Sequence, residues 1–279
     1  MKIGETDGLR GTEMEKKIAF FDIDGTLINV PEGLMSPTAE TISALKRFQE
    51  QGNLIFIATS RGELPFEAEE LQFDGFIGED GHYIVYDGQV LFDDLFTADE
   101  VRRQMEVYKQ FDGRCMYSGH HSSWCDCWED EYIQRHRKAF SRTTDKPANL
   151  IEHLDADAME VIACCVMFKN VEDLRGAYEA LKDDFTMVTY ETGIIRMDVY
   201  RKGFKKGTAV RHMYEKLGIP RENTYAFGDG INDMEMLQLV GHGIAMGNAI
   251  EELKAVAEEV TGSVMENGIA GYFKKYLLK

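Results

Sequence analysis

Uninterrupted apolar runs near the start of the chain predict strands that are buried on both faces. Residues 17–21 read KIAFF and residues 53–58 read NLIFIA, without the polar alternation of a half-exposed strand. A helix ended by Gly52 is predicted between them, and a further helix and a short strand at residues 73–77 follow. This alternation of buried strands and helices is typical of an open parallel α/β sheet.

The pattern changes near Gly81, where turn residues and antiparallel signals appear. Asp87 and Gly88 separate two short apolar segments, which predicts a β-hairpin. The alternation of helices and buried strands returns at Lys206. We therefore expect a core made of residues 17–81 and 201–279, an inserted α+β domain at residues 82–200, and a polar tail at residues 1–16.

Composition narrows the class of protein. Hydrophobic residues make up 44% and charged residues 29% of the 279 residues, which is usual for globular proteins, and the length suggests about two domains. The net charge of −18 repels phosphate backbones and anionic lipid, so we expect neither a nucleic-acid nor a membrane partner. Five cysteines and no signal-peptide pattern predict a reduced, cytoplasmic protein.

Polar side chains gather where predicted strands end, which is the edge of an open α/β sheet where ligands bind. Asp22 and Asp24 follow the first strand, and in an extended chain both carboxylates project to the same side. Thr59 and Ser60 follow the second strand and offer hydroxyl and backbone N–H groups. Taken alone, either pair is also consistent with a turn or a helix cap.

Two later segments add a cation and more oxygen ligands. Lys206 opens a predicted helix, where its charge opposes the helix dipole unless an anion lies nearby. The loop GDGIND supplies Asp229, Asn232 and Asp233 directly after a strand. Carboxylate and amide oxygens suit a hard cation such as Mg²⁺. Together, the four loops could neutralise and hold a phosphoryl group.

These four motifs, in this order, resemble those of the haloacid dehalogenase (HAD) superfamily of phosphohydrolases. The motifs are DIDGT at 22–26, ATSR at 58–61, KG at 206–207 and GDGIND at 228–233. AMGNA at 245–249 and ENGIA at 266–270 resemble the Cof-type branch. The resemblance covers nearly all of residues 17–279 and implies an α/β fold, with a Rossmann-like parallel-sheet core and an inserted α+β cap domain.

The resemblance also implies a two-step phosphoryl transfer that requires Mg²⁺. Asp22 would attack phosphorus to form an aspartyl-phosphate, and Asp24 would act first as general acid and then as general base. Lys206 would assist catalysis. The cation would be held by Asp22, the backbone carbonyl of Asp24 and Asp229, with Asp233 binding directly or through water. The expected phosphate-binding residues are Ile23 (through its N–H), Thr59, Ser60, Lys206 and Asn232.

Some residues keep two interpretations. Arg61 and Asn248 either lie near the site or make structural hydrogen bonds. Ser60 replaces the glycine usual after the motif threonine, and Asp80 replaces an asparagine common in Cof-type chains, which concerns the hinge to the cap. The segment with His120, His121, Cys115, Cys125 and Cys127 lacks zinc-site spacing, and we expect it to line the cap.

The predicted function is a phosphoric monoester hydrolase acting on a small phosphorylated metabolite, either a sugar phosphate or a phosphorylated cofactor. A phosphomutase of the same superfamily and a non-catalytic phosphometabolite-binding protein are the alternatives. Release of free phosphate separates the first from the other two. The sequence predicts neither an oligomeric state nor the residues of the cap that choose the substrate.

Overall fold

The computed structural model describes residues 15–62, 64, 72–141 and 143–278, which form two β-sheets with helices packed against them. In that part of the chain the strands are β1 (Ile18–Phe21), β2 (Leu54–Ala58), β3 (Gly75–Gly78), β4 (Tyr83–Tyr86), β5 (Gln89–Asp93), β6 (Arg114–Ser118), β7 (Ser123–Trp124), β8 (Leu150–Ile151), β9 (Ala163–Met167), β10 (Phe185–Tyr190), β11 (Arg196–Arg201), β12 (Thr224–Gly228), β13 (His242–Ala245) and β14 (Glu259–Val260). The helices are α1 (Ala39–Glu50), α2 (Ala98–Gln110), α3 (Glu131–Ser141), α4 (Val171–Leu181), α5 (Lys206–Lys216), α6 (Met234–Leu239), α7 (Glu251–Val256) and α8 (Gly268–Tyr276). None of these helices is long and apolar enough to span a bilayer.

The larger sheet has eight strands in the order β14-β13-β12-β1-β2-β3-β4-β5. The strands from β14 to β3 are parallel, and β4 and β5 are antiparallel. Every residue of β1, β2 and β12 is buried, as the apolar runs predicted. The carboxyl ends of these three adjacent strands therefore meet at one edge of the sheet.

Helices cover both faces of this sheet. On one face, Phe48 of α1 and Phe273 of α8 pack with their rings 5.0 Å apart. On the other face, Met213 of α5 and Met236 of α6 lie in a second apolar cluster. This layering confirms the predicted α/β fold.

The smaller sheet has six strands in the order β10-β11-β9-β6-β7-β8. Its pairs are antiparallel except for β7 with β8. Val101 of α2 and Leu174 of α4 are fully buried in the cluster on one face. Ile133 of α3 belongs to a separate cluster with Met167 of β9. We refer to this sheet with α2, α3 and α4 as the cap.

The hairpin β4–β5, which we assigned to the start of the insert, is hydrogen-bonded to β3 of the larger sheet. The change from one sheet to the other therefore falls after Asp93, and we propose boundaries at residues 94–97 and 201–205. At this junction, Asp94 accepts from Arg201 Nη1 at 2.8 Å and lies 2.9 Å from His82 Nδ1. The helix predicted after Gly62 and most of the predicted tail lie outside the described residues.

Candidate active site

Three charged side chains from distant parts of the chain meet beyond the carboxyl ends of β1 and β12. Lys206, the first residue of α5, places Nζ 2.8 Å from Asp22 Oδ1 and 2.8 Å from Asp233 Oδ1. The Lys206 side chain is only 1% exposed, and those of the two aspartates are 9% and 0% exposed. This buried ammonium group therefore links the loop after β1 to the loop after β12.

The loop after β12 is held in shape by one of its own carboxylates. Asp233 Oδ2 accepts hydrogen bonds from the backbone N–H groups of Asp229 and Gly230, both at 2.9 Å. Asp229 Oδ1 accepts from the Thr26 hydroxyl at 3.1 Å. Oxygen atoms of Asp22, Asp229 and Asp233 lie within 4.8 Å of one another. Both oxygens of Asp233 are therefore engaged, whereas Asp229 Oδ2 has no hydrogen-bond partner among the described residues.

Gly25 makes this close approach of the two loops possible. Its φ is +82°, and a Cβ built there would lie 2.1 Å from Asp229 Oδ2. We predict that Gly25→Ala lowers kcat/KM for phosphate-ester hydrolysis about a hundredfold, because the methyl group displaces a carboxylate of the site. The measurement is steady-state phosphate release.

Gly52→Ala is the matched control for backbone strain. Gly52 has a φ of +85°, and nothing lies within 4 Å of its added Cβ. Both variants carry the cost of a left-handed alanine, about 1–2 kcal/mol. An equal loss of kcat/KM in the two variants would contradict the proposed steric effect on Asp229.

Buried negative charge exceeds buried positive charge at this site. Burial raises the pKa of Asp22 well above its usual value; Lys206 opposes the shift, and Asp233 and Asp229 add to it. Burial, followed by the charge of Asp233, raises the pKa of Asp229 to about 7. Burial alone would lower the pKa of Lys206, but Asp22, Asp233 and Asp80 raise it well above its usual value. An oxygen-rich group with this surplus of charge fits a divalent hard cation.

Asp24 is held by Arg61, a contact that the sequence did not reveal. Arg61 donates from Nε to Asp24 Oδ2 at 2.6 Å and from Nη2 to Asp24 Oδ1 at 2.7 Å, in the planar two-point geometry typical of arginine with carboxylate. Arg61 Nη2 also donates to the carbonyl oxygen of Phe140 in α3, at 3.4 Å. Arg61 therefore joins the loop after β1 to the cap.

The loop after β3 contributes a further carboxylate. Asp80 has a φ of 50°, its side chain accepts from Asn232 Nδ2 at 3.1 Å, and it lies 3.8 Å from Lys206 Nζ. The Asp80 N–H donates to the carbonyl of Thr59 at 3.0 Å. The residue that departs from the Cof-type pattern, Asp80, is therefore in contact with the site.

The remaining predicted residues lie in the same loops. Thr59 is buried at the end of β2, and its hydroxyl accepts from the Arg61 N–H at 3.2 Å. Ser60 is half-buried beside it, and the Ile23 side chain is fully buried between Asp22 and Asp24. The structure thus brings the predicted residues to one edge of the sheet, and their chemical roles stay predictions.

Asn248 lies beside the site and makes structural hydrogen bonds there, whereas the Cys/His segment lies elsewhere. Asn248 Nδ2 donates to the Gly25 carbonyl at 2.8 Å, and its Oδ1 accepts from the Val264 N–H at 2.9 Å, which is a structural bridge between loops. His120 Nε2 lies 2.7 Å from Asp93 Oδ2. Cys125 Sγ lies 3.8 Å from Cys127 Sγ within the cap.

Comparisons with known proteins point to one family. The sequence profile of the haloacid dehalogenase-like hydrolases matches residues 19–273. Over 259 residues, the chain is 30% identical to the "Putative phosphatase YkrA" of Bacillus subtilis (strain 168), covering 92% of this chain and 96% of that protein. It is 28% identical over 289 residues to the 5-amino-6-(5-phospho-D-ribitylamino)uracil phosphatase YwtE of the same strain, covering 94% of this chain and 98% of that protein.

A solved structure gives the same indication. The HAD subclass IIB sugar phosphatase BT4131 superposes with a TM-score of 0.80 at 28% identity, covering 95% of this chain and 100% of that chain. The likeness extends over both sheets. It agrees with the Cof-type branch that the motifs indicated.

Proposed function

Because the chain belongs to the haloacid dehalogenase-like hydrolase family, we propose that it is a Mg²⁺-dependent phosphatase that forms an aspartyl-phosphate on Asp22. Family membership and phosphatase activity agree with the predictions made from the four motifs. The metal, the intermediate and the substrate are our proposals. The observation that carries them is the buried contact of Lys206 with Asp22 and Asp233, beside Asp229, of which only Oδ1 is hydrogen-bonded within the described residues.

Asp22, Asp229 and the backbone carbonyl of Asp24 would hold the cation. Asp233 supports them, because two N–H groups and Lys206 already occupy its oxygens. When bound, Mg²⁺ reduces the repulsion between the attacking carboxylate and the phosphoryl group. The surplus of buried carboxylate over ammonium is the feature that such an ion would neutralise.

Lys206 orients the nucleophile. It binds Oδ1 of Asp22, which directs Oδ2 of the same carboxylate away from the ammonium group and toward the incoming phosphorus. A bond forms between this carboxylate and phosphorus while the bond from phosphorus to the leaving oxygen breaks. The proposed phosphate-binding groups hold the other phosphoryl oxygens; these are the Ile23 N–H, Thr59, Ser60, Lys206 and Asn232.

Asp24 would protonate the leaving oxygen and then accept a proton from the water that hydrolyses the intermediate. Arg61 holds both oxygens of Asp24, so it fixes the direction of this carboxylate. Asp24 is also the more exposed partner, with 42% of its side chain accessible against 22% for Arg61. Water therefore reaches Asp24 more easily than it reaches Asp22, whose side chain is 9% exposed.

We propose a small phosphorylated metabolite as the substrate, because YwtE is named for a phosphorylated ribitylaminouracil and BT4131 for sugar phosphates. The test is phosphate release across sugar phosphates, nucleotides and phosphorylated vitamins, with and without Mg²⁺. We expect Mg²⁺-dependent release of free phosphate. Isomerisation without release would indicate a mutase, and binding without turnover would contradict a phosphatase.

Proton competition should make Mg²⁺ affinity depend on pH. The pKa of Asp229 is about 7, and the pKa of Asp22 is raised in the same direction. Protonation therefore removes a ligand charge below neutral pH. By calorimetry, we expect Mg²⁺ to bind about tenfold more weakly at about pH 6 than at about pH 8, with proton release on binding. An affinity that does not change with pH would contradict this ligand assignment.

A further inference from the structure

Arg196 lies on the face of the cap sheet that is opposite to helices α2 and α4. It pairs with Tyr190 across β10 and β11. Met197 and Val199 alternate with it and are fully buried in the apolar cluster that includes α2 and α4. Arg196 and Asp198 therefore point to the other side of the cap sheet, where α3 lies.

The Arg196 guanidinium is enclosed by two aromatic rings. It lies 3.6 Å from the centroid of the Tyr190 ring and 4.7 Å from that of Phe140. Its side chain is only 14% exposed. This double stack fixes the plane of the guanidinium, so its donors keep a constant direction.

Among the described residues, Arg196 has one charged partner, and that contact is long. Its nearest carboxylate, Asp198 Oδ1, is 3.8 Å from Nε, beyond hydrogen-bond distance. Within residues 15–62, 64, 72–141 and 143–278, no hydrogen bond to the Arg196 guanidinium is found. None of the Arg196 nitrogens is fully buried without a partner, so water still reaches the guanidinium. A bound anion would replace that water with charge-assisted hydrogen bonds.

Contacts place Arg196 on the leaving-group side of the reaction centre. Arg61 donates both to Asp24, the proposed acid for the leaving oxygen, and to the carbonyl of Phe140. The ring of that same Phe140 stacks on Arg196. One residue of α3, Phe140, therefore lies between the guanidinium of Arg61, which holds the proposed general acid, and the guanidinium of Arg196.

The charge on this side differs from that of the whole chain. The net charge is −18, yet the half-buried His136 of α3 lies near Arg196, Arg137 and Arg61. Burial lowers its pKa to about 3, with help from these three charges. Two carboxylates lie beside these arginines: Asp198, 3.8 Å from Arg196 Nε, and Asp24, bound by Arg61. The three guanidinium groups on this side therefore outnumber those two carboxylates.

We propose that Arg196 binds a second anionic group, a carboxylate or a phosphate, on the leaving group of the substrate. Arg196 is then a specificity-determining residue for phosphate monoesters whose alcohol carries its own negative charge. This inference rests on the proposed phosphatase function. The planar fork of Arg196 suits two-point binding of either anion.

Matched substrates and a matched variant test the proposal. 3-Phosphoglycerate is compared with glycerol 3-phosphate for the carboxylate, and fructose 1,6-bisphosphate with fructose 1-phosphate for the second phosphate. We expect kcat/KM to favour the doubly anionic member of at least one pair by about tenfold or more. Arg196→Gln should reduce this ratio to about one, mainly by raising KM for the anionic member. Arg175→Gln is the control, because Arg175 pairs with Glu191 on the exposed side of α4.

Three results would overturn the role of Arg196: no preference in the wild type, a preference that persists in Arg196→Gln, or an equal loss for both members of a pair. Hydrolysis of p-nitrophenyl phosphate by the wild type with Mg²⁺ distinguishes a failure of the role of Arg196 from a failure of the proposed phosphatase function. If that ester is hydrolysed without any preference for a second anion, only the role of Arg196 fails. If no phosphate ester is hydrolysed, the proposed function fails and the role of Arg196 fails with it.

Discussion

Replacing Asp22 with asparagine is expected to reduce phosphate release to less than about a hundredth of the wild-type rate, because an amide does not form the acyl phosphate and the covalent and positional contributions are lost together. The fold should persist. Lys206 keeps its contact with Asp233, and one of several crowded negative charges disappears. The measurements are kcat with Mg²⁺ at saturating substrate and the thermal unfolding midpoint.

The matched control for this variant is Asp99→Asn. Asp99 is 94% exposed and pairs with Arg102 on the surface of α2. The Asp99→Asn substitution removes the same charge as Asp22→Asn but lies outside the site, so the kcat of this variant should equal that of the wild type. Retention of more than about a hundredth of the activity by Asp22→Asn would refute Asp22 as the nucleophile.

Lys206→Met should produce the largest loss of stability among the variants considered. Methionine keeps much of the side-chain volume but leaves Asp22 and Asp233 without their common cation. Removing one partner of a buried ion pair costs about 3–5 kcal/mol. Urea unfolding of the metal-free protein measures this loss. Activity should fall as well, because Asp22 loses the contact that orients it.

The stability loss of Lys206→Met should depend on pH. Burial already raises the pKa of Asp22, and the variant removes the opposing charge of Lys206. The neutral form of Asp22 is therefore favoured as pH falls, so the stability loss should shrink toward acidic pH. Lys182→Met is the control, since Lys182 pairs with Glu179 on the surface and should unfold like the wild type. Equal stability of the two variants at neutral pH would contradict a structural role for the buried ammonium group.

The strands of the larger sheet were predictable because burial on both faces leaves no polar alternation in β1, β2 and β12. The hairpin β4–β5 shows what the sequence pattern does not predict. Its turn is local, with a positive φ at Asp87 and Gly88, but nothing local indicates which sheet it joins. Helix α3 was not predicted, although in its sequence EYIQRHRKAFS Ile133 and Phe140 stand about two helical turns apart on one face.

The site was predictable to the extent that each motif follows a strand whose end lies at the ligand-binding edge. The contacts of Arg61 with Asp24 and of Asp80 with Asn232 were not, because they join segments far apart in sequence. The stack of Phe140, Arg196 and Tyr190 likewise requires α3 to lie on the strand pair β10–β11. The sequence signals for these contacts were limited to Arg61, which follows Ser60 of the second motif, and Asp80, which stands where asparagine is common.

The most direct measurement is chemical capture of the intermediate. Enzyme and a phosphate-labelled substrate are mixed with Mg²⁺, quenched in acid within one turnover, digested and analysed by mass spectrometry, with the Asp22→Asn variant treated in parallel. The geometry predicts a phosphorylated peptide that contains Asp22 and is absent from the variant. Hydroxylamine should release the phosphate from this peptide, because it cleaves acyl phosphates. Phosphate release that proceeds at the wild-type rate without any such peptide, or with the label on another residue, would contradict the central claim.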